Sequence, residues 1–223
     1  MQFVFDKNAK LEFLEIVDEN YNYLIKARRH KIEDIINFRN LDDKNLYSYQ
    51  IVSIDKKKAL LKLLSFEEKV VENCKKLHLV WSIVDPKTIE KTLPSLNEMG
   101  VDKITFLYSD FSQKNFKINF EKMEKILLNS SSQCGRSSII KLELLKNLDE
   151  FLKTNSSFYI LDFSKNSIET KKDDIKTLLI GPEGGFSKRE RELFNDKFVV
   201  GFSSNLILKS ETAIVCASSK IVL

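Results

Sequence analysis

Residues 177–190 hold the tightest constraint in this chain. Thr177-Leu178-Leu179-Ile180 is an apolar run that reads as a buried strand. It leads into Gly181-Pro182-Glu183-Gly184-Gly185-Phe186-Ser187, which holds three of the chain's six glycines. Ser187-Lys188-Arg189-Glu190 then has the S-x-x-E spacing of a capping box and opens a helix. Glycine loses the most freedom on ordering, so such a cluster implies a sharp turn or close approach to a ligand. Strand, Gly-rich turn and helix together are a common way to hold a small ligand at a strand's carboxyl end. An ordinary connecting loop is the competing reading. The segment matches neither the G-x-G-x-x-G dinucleotide fingerprint nor the G-x-x-x-x-G-K-[ST] phosphate loop.

A second unit of the same kind ends the chain. Residues 198–202 read as a strand and Ser203-Ser204-Asn205 as a loop. Leu206-Ile207-Leu208-Lys209-Ser210-Glu211-Thr212-Ala213 follows. Ser210 fits an N-cap, and Glu211 sits favourably in a first helical turn. Ala213, Ile214, Ala217 and Ile221 recur at helical spacing and form an apolar face.

The rhythm of the rest divides the chain into residues 1–72 and 73–223. In the first part, residues 47–54 and 59–64 flank Asp55-Lys56-Lys57-Lys58 as a hairpin, which suits a small β-barrel. In the second, strands alternate with helices. Residues 79–84, 101–108, 158–162, 177–180 and 198–202 are the strands. Asp85-Pro86 predicts an N-cap followed by Pro at the first helical position, and Gly100 predicts the end of that helix. Met123, Ile126 and Leu127 mark a further amphipathic helix. Such alternation argues for an α/β fold: a parallel sheet with helices on both faces.

Cys74, Cys134 and Cys216 are odd in number and form no C-x-x-C pair, which speaks against a disulfide framework or a zinc site. His30 and His78 lie in unrelated segments, so no metal is expected. There is no charged-then-apolar leader and no run long enough to span a bilayer, so the expected location is cytoplasmic, away from membranes. The net charge is +4. Lys26-Ala27-Arg28-Arg29-His30-Lys31 concentrates cations next to Tyr21 and Tyr23. Cations beside aromatics suit a nucleic-acid surface, and a solvated face is the plainer reading.

Gly-Pro-Glu-Gly-Gly-Phe-Ser at 181–187 and Ile-Leu-Lys-Ser-Glu-Thr-Ala at 207–213 together resemble the RsmE-type ribosomal RNA methyltransferases of the SPOUT superfamily. Leu96–Val101 is similar to that family's helix-to-strand segment, and Gln133-Cys134-Gly135-Arg136 to its Gln-x-Gly-Arg. The chain departs from the family at Lys209, where Arg is usual, at Ser203-Ser204 in place of Leu-Gly, and in the segment from Asn22 to Arg28. Lys keeps the charge of Arg and loses its planar fork. The resemblance implies a PUA-like barrel at 1–72 that holds RNA through Lys26, Arg28, Arg29 and Lys31. It implies a SPOUT methyltransferase domain at 73–223 whose end threads into a trefoil knot around S-adenosylmethionine, with no metal. The implied reaction is methylation of N3 of a uridine in 16S rRNA of the small ribosomal subunit. The implied assembly is a homodimer. The apolar terminus Ile221-Val222-Leu223 is consistent with cover by a partner or by the core.

With that ligand in view, Ile180, Gly181, Gly185, Ile207, Leu208 and Thr212 are the expected cofactor contacts, offering apolar walls and exposed backbone. By residue type alone, plain core residues are the commoner reading of Ile207 and Leu208. Arg136 and Lys209 are candidates to stabilise charge on a deprotonated uracil. Glu211 is the first candidate for the base and Glu183 the alternative. A carboxylate at a helix N-terminus is held ionised and is a reluctant proton acceptor. Two other functions stay open: an RNA-binding protein of this fold without catalysis, and a SPOUT enzyme acting on tRNA.

Overall fold

The computed structural model describes residues 2–204 and 206–223. Met1, in the expected first domain, and Asn205, in the expected 203–205 loop, lie outside the described residues. The chain forms two compact units, residues 2–72 with Leu128–Ser138, and Asn73–Leu127 with Ile139–Leu223.

The first unit contains strands β1 (Val4–Phe5), β2 (Phe13–Val17), β3 (Ile35–Arg39), β4 (Asn45–Ile54) and β5 (Lys58–Glu68). They make a five-stranded curled sheet in the order β1-β3-β4-β5-β2. The predicted hairpin is β4 and β5, antiparallel and longer than the sequence pattern suggested. Leu14, Ile16, Phe38, Tyr49, Ile51 and Leu61 are buried in its core. Helix α1 (Asp18–Tyr21) runs on into a π-helical turn, Asn22–Ala27, so the basic run begins at its last residues with Lys26 and leaves it at Arg28. The segment 128–138 joins this unit through main-chain bonds. Gln2 N donates to Ser132 O at 2.9 Å and Ser137 N to Val71 O at 3.0 Å.

The second unit alternates strand and helix. In chain order it holds β6 (His78–Ser82), α2 (Pro86–Glu98), β7 (Lys103–Leu107), α3 (Phe120–Cys134), β8 (Lys141–Leu144) and α4 (Leu148–Thr154). There follow β9 (Tyr159–Leu161), α5 (Ile168–Lys171), β10 (Thr177–Ile180), α6 (Lys188–Glu192), β11 (Val199–Val200) and α7 (Ser210–Val222). The last residues of α3 group with the first unit. The strands form one sheet, β11-β9-β10-β6-β7-β8, with every neighbouring pair parallel.

Both faces of this sheet are covered, as a parallel sheet requires. Leu79, Trp81, Ile104, Phe106, Leu178 and Ile180 face one apolar cluster with Ile89 and Leu93 of α2 and Ile214, Ala217 and Ile221 of α7. Val80, Leu107, Ile160 and Leu179 face the other, with Leu148 and Phe151 of α4 and Phe186. The apolar face of α7 is therefore spent inside this unit, and Leu223 alone of the terminal trio stands open. Asp85 caps α2 by accepting from Thr88 N, with Pro86 at the first helical position. Gly100, at φ +87°, takes the left-handed turn that ends it. The expected strand at 198–202 is shorter than its apolar run, because Asp196–Phe198 forms a 3₁₀ turn.

One polar chain crosses the second face. His78 Nε2 lies 2.8 Å from Thr105 Oγ1, and Thr105 donates to Glu143 Oε2 at 2.7 Å. Since Thr105 gives its only proton to Glu143, His78 must donate from Nε2. Burial, with the Lys103 ammonium nearby, lowers the His78 pKa to about 4. In the unfolded chain the imidazole titrates near 6.5, so the unfolded state takes up the proton first as pH falls. The stabilisation is fully present above about pH 6.5 and is lost as pH falls through about 4. Thermal unfolding of wild type and His78→Gln from pH 7.5 to 4 is expected to show a steeper fall in Tm for wild type. Parallel curves would mean that His78 titrates alike in both states.

Candidate functional site

The carboxyl edge of the parallel sheet is where the predicted residues gather. The connection leaving β6 runs toward β7 and β8, whereas β10, its other neighbour, feeds α6 and then β11 on the far side. Adjacent strands whose connections depart in opposite directions open a crevice at their carboxyl ends. Gly181 follows β10 at that crevice.

Ser210 closes it from the C-terminal side. Its hydroxyl donates to the Gly181 carbonyl at 2.7 Å and accepts from the Trp81 indole Nε1 at 2.9 Å. Trp81 is fully buried in β6. The expected capping role therefore falls elsewhere: Lys209 is the N-cap residue, without a side-chain cap, and Ser210 is already inside α7. A hydroxyl that satisfies a buried indole and a turn carbonyl cannot also cap its own helix.

The Gly-rich turn is fixed on both flanks by α6. Ser187 and Glu190 form the predicted capping box. Glu190 is completely buried, and its second oxygen accepts Asp110 N at 3.0 Å, tying the loop after β7 to the turn. Arg189 grips Asp110 with two hydrogen bonds, of 3.1 and 3.0 Å, and Asp149 with its third nitrogen at 3.1 Å. Arg189 and the Ser187 hydroxyl hold the Asp110 carboxyl below its ordinary range. Arg191 pairs with Asp162, after β9, at 3.1 Å and donates to Phe186 O at 3.1 Å. Gly185 has φ +69°, a left-handed conformation that a side chain would strain.

The individual candidates divide in a telling way. Ile180 is buried, Gly181, Gly185 and Leu208 are half-buried, and Thr212 and Lys209 are exposed. Ile207, at 82% exposure, is among the most open apolar residues of the chain, so the plain core reading does not hold for it. Glu183 projects from the turn into solvent. Glu211 is different: its Oε2 is buried and has no hydrogen-bond partner. Arg136 belongs to the first unit, where it is buried and its Nε donates to Ser138 Oγ at 3.2 Å. In the same unit, Lys26 lies over the Tyr21 ring, and Arg28 stacks on Tyr23 while donating to its hydroxyl at 2.9 Å. Arg29 and Lys31 are exposed, Arg29 with φ +62°. Asp110, Asp162 and Trp81 escaped sequence reasoning, because each gains its role from a partner distant in the chain. Among the described residues no group of His, Cys, Asp and Glu could hold a metal ion. No described helix is long and apolar enough to cross a membrane.

Comparison with known proteins places these features in context. Residues 71–222 match the RNA methyltransferase domain family, and residues 16–64 match the RNA methyltransferase PUA domain family. The chain is 42% identical over 222 residues to ribosomal RNA small subunit methyltransferase E of Helicobacter pylori, covering 98% of each protein. A methyltransferase of Legionella pneumophila, solved in complex with bound cofactor SAM, shares 26% identity and superposes with a TM-score of 0.80. That match covers 98% of this chain and 96% of the other. Ribosomal RNA small subunit methyltransferase E of Neisseria gonorrhoeae has the same fold, with a TM-score of 0.78 at 17% identity over 98% of this chain and 95% of the other.

The Ser210 bridge is open to test. Ser210→Ala would leave the Trp81 N–H and the Gly181 carbonyl without their partner inside the protein. Leaving buried polar groups unsatisfied costs about 1–3 kcal/mol. Urea unfolding is expected to show a loss of that size, and an unchanged midpoint would mean that the bridge contributes nothing to stability.

Proposed function

The chain belongs to the ribosomal RNA small subunit methyltransferase E family, and on that premise we propose that it methylates N3 of a uridine in 16S rRNA with S-adenosylmethionine. One observation carries the reading. The Gly181–Phe186 turn is pinned at the crevice of a parallel sheet, and the unpartnered Glu211 oxygen lies one residue beyond the serine that binds Gly181. The residues present suit such a cofactor. Glycine backbone is available at 181, 184 and 185, Leu208 offers an apolar wall next to the core-bound Ile180, and Thr212 offers a hydroxyl at the start of α7. Ile207 is an apolar side chain still open to cover. The C-terminal trefoil knot and the homodimer belong to the same reading.

S-adenosylmethionine supplies a methyl group already activated on a sulfonium, so this chain has three tasks: to bind, to align and to manage one proton. Holding two reactants in line lowers a barrier by about 7–11 kcal/mol in favourable cases. The clamp of Arg189, Glu190 and Arg191 serves this task by fixing the turn. Removing the N3 proton puts negative charge on the flanking uracil carbonyls, which Lys209 is proposed to stabilise together with the partner subunit's Arg136 in the homodimer. Between the two candidate bases, Glu211 is favoured over Glu183. A carboxylate oxygen shielded from water and without a donor is an acceptor awaiting one, whereas Glu183 is exposed to solvent. Lys26, Arg28, Arg29 and Lys31 are proposed to contact RNA phosphates, with Tyr23 bracing Arg28.

Purified protein is expected to release heat on mixing with S-adenosylmethionine and, with it, to form 3-methyluridine in 16S rRNA but not in tRNA, as read by nucleoside mass spectrometry. Absence of heat would favour the RNA-binding module, and methylation of tRNA alone would favour the other SPOUT reading. A positioned acid–base group contributes about 10²–10⁴-fold to a rate. Glu211→Gln is therefore expected to lower kcat by about 10²-fold or more, with Glu183→Gln changing it far less. The reverse order would move the base to Glu183.

A further inference from the structure

Two phenylalanines of the second unit stand open to solvent where burial would be the ordinary outcome. Phe111 is 56% exposed and Phe163 is 68% exposed. They follow β7 and β9, which lie on opposite sides of β10 in the sheet. Each is tied to the Gly184–Gly185 turn. A Cβ added at Gly184 would lie 3.3 Å from the Cβ of Phe111 and 3.5 Å from its ring Cδ2. Phe111 thus lies against the glycine backbone, and a side chain there would push it away. On the other flank, Phe163 N donates to Asp162 Oδ1 at 2.8 Å, and Asp162 Oδ2 pairs with Arg191 at 3.1 Å. The same Arg191 nitrogen would lie 3.4 Å from a Cβ on Gly185.

Neither ring sits on a free loop. Asp110, before Phe111, is bound by Arg189 and by the buried Glu190. The next turn is closed by Ser112 N donating to Ser109 O at 3.0 Å and Ser109 N to Ser112 Oγ at 3.2 Å. Asp162, before Phe163, is bound by Arg191. The same contacts engage the two carboxylates nearest the rings. Lys114 lies near enough to Asp110 to help hold its carboxyl ionised, and Lys114, Lys165 and Lys188 are all exposed. Two braced aromatics, each followed within three residues by an exposed lysine, match single-stranded RNA, whose unstacked bases pack on aromatic rings while cations meet its phosphates.

We propose that Phe111 and Phe163 are the base-stacking residues of this site, holding RNA bases at and beside the target nucleotide out of their own stack on either flank of the Gly184–Gly185 turn. This rests on the reading of the chain as an RNA methyltransferase and adds to it the residues that hold the base. Because every base has a π-face, the rings supply position rather than base identity. The rival occupant of the same face is a second copy of this chain.

The test uses the full chain and a single-stranded 16S rRNA fragment with 5-iodouridine at the methylated position or at one of its neighbours. Irradiation followed by peptide mass spectrometry is expected to place cross-links on Phe111 and Phe163. Phe111→Leu and Phe163→Leu should each lose the cross-link at that position and weaken RNA binding by roughly five- to hundred-fold. Heat of S-adenosylmethionine binding should be unchanged, and Phe→Tyr at either position should keep both cross-link and affinity. Cross-links confined to other residues, or unchanged RNA affinity in both Leu variants, would overturn the proposal. A fall in the solution mass of the RNA-free Leu variants, with RNA affinity intact, would assign the face to a second copy. Cross-links at the two rings without any methyl transfer would leave the stacking site standing and remove the enzymatic reading.

Discussion

A parallel sheet has no face that tolerates water, and the architecture of the second unit follows from that constraint. Leu79, Trp81, Phe106 and Leu178 on one side and Val80, Leu107, Ile160 and Leu179 on the other all require cover. Helices α2 and α7 cover the first face and α4 the second. Once both faces are committed, the carboxyl edge is the place left for loops, and the reversal of direction between β6 and β10 opens the crevice there. The Gly-rich turn sits at that opening because its strand is the central one.

What holds the turn still is the packing of Phe186 in the second apolar cluster together with a set of buried or bidentate polar contacts. The Ser210 hydroxyl joins β6, β10 and α7 through two hydrogen bonds, to the Trp81 indole and the Gly181 carbonyl. Glu190, Arg189 and Arg191 add ties to the loops after β7 and β9. Single exposed ion pairs contribute little to stability. Their value here is geometric: three loops from three strands are held in one relation, which a reaction between two bound molecules needs.

The same arrangement explains which side chains stay exposed. With Asp110 and Asp162 engaged by arginines, Phe111 and Phe163 are presented on braced backbone, Phe111 against Gly184, which leaves room for it. Ile207 is likewise open. Exposed apolar groups gathered at one edge of an otherwise well-buried sheet are the signature of a surface that meets something.

Much of this was legible in the chain. The capping box at Ser187–Glu190, the Asp85-Pro86 helix start, the Gly100 stop and the hairpin around Asp55–Lys58 are local signals, each set by a few neighbouring residues, and the structure keeps all of them. The strand–helix alternation carried the parallel sheet. Short strands such as β1 and β8 left no periodic signal long enough to read. The grouping of Leu128–Ser138 with the first unit depends on main-chain bonds to Gln2 and Val71, which no local pattern announces. Ser210 marks the boundary most sharply. Its local sequence fits a helix cap, yet its hydroxyl serves Trp81 and Gly181, because groups buried by the tertiary fold have no water to turn to and the exposed end of a helix does. The sequence alone determined the longer elements, the glycine turn and the candidate residues. Which of them face one another, which carboxylates are engaged and which rings stay open was decided only when distant strands came side by side, since burial and hydrogen-bond competition are properties of the packed chain.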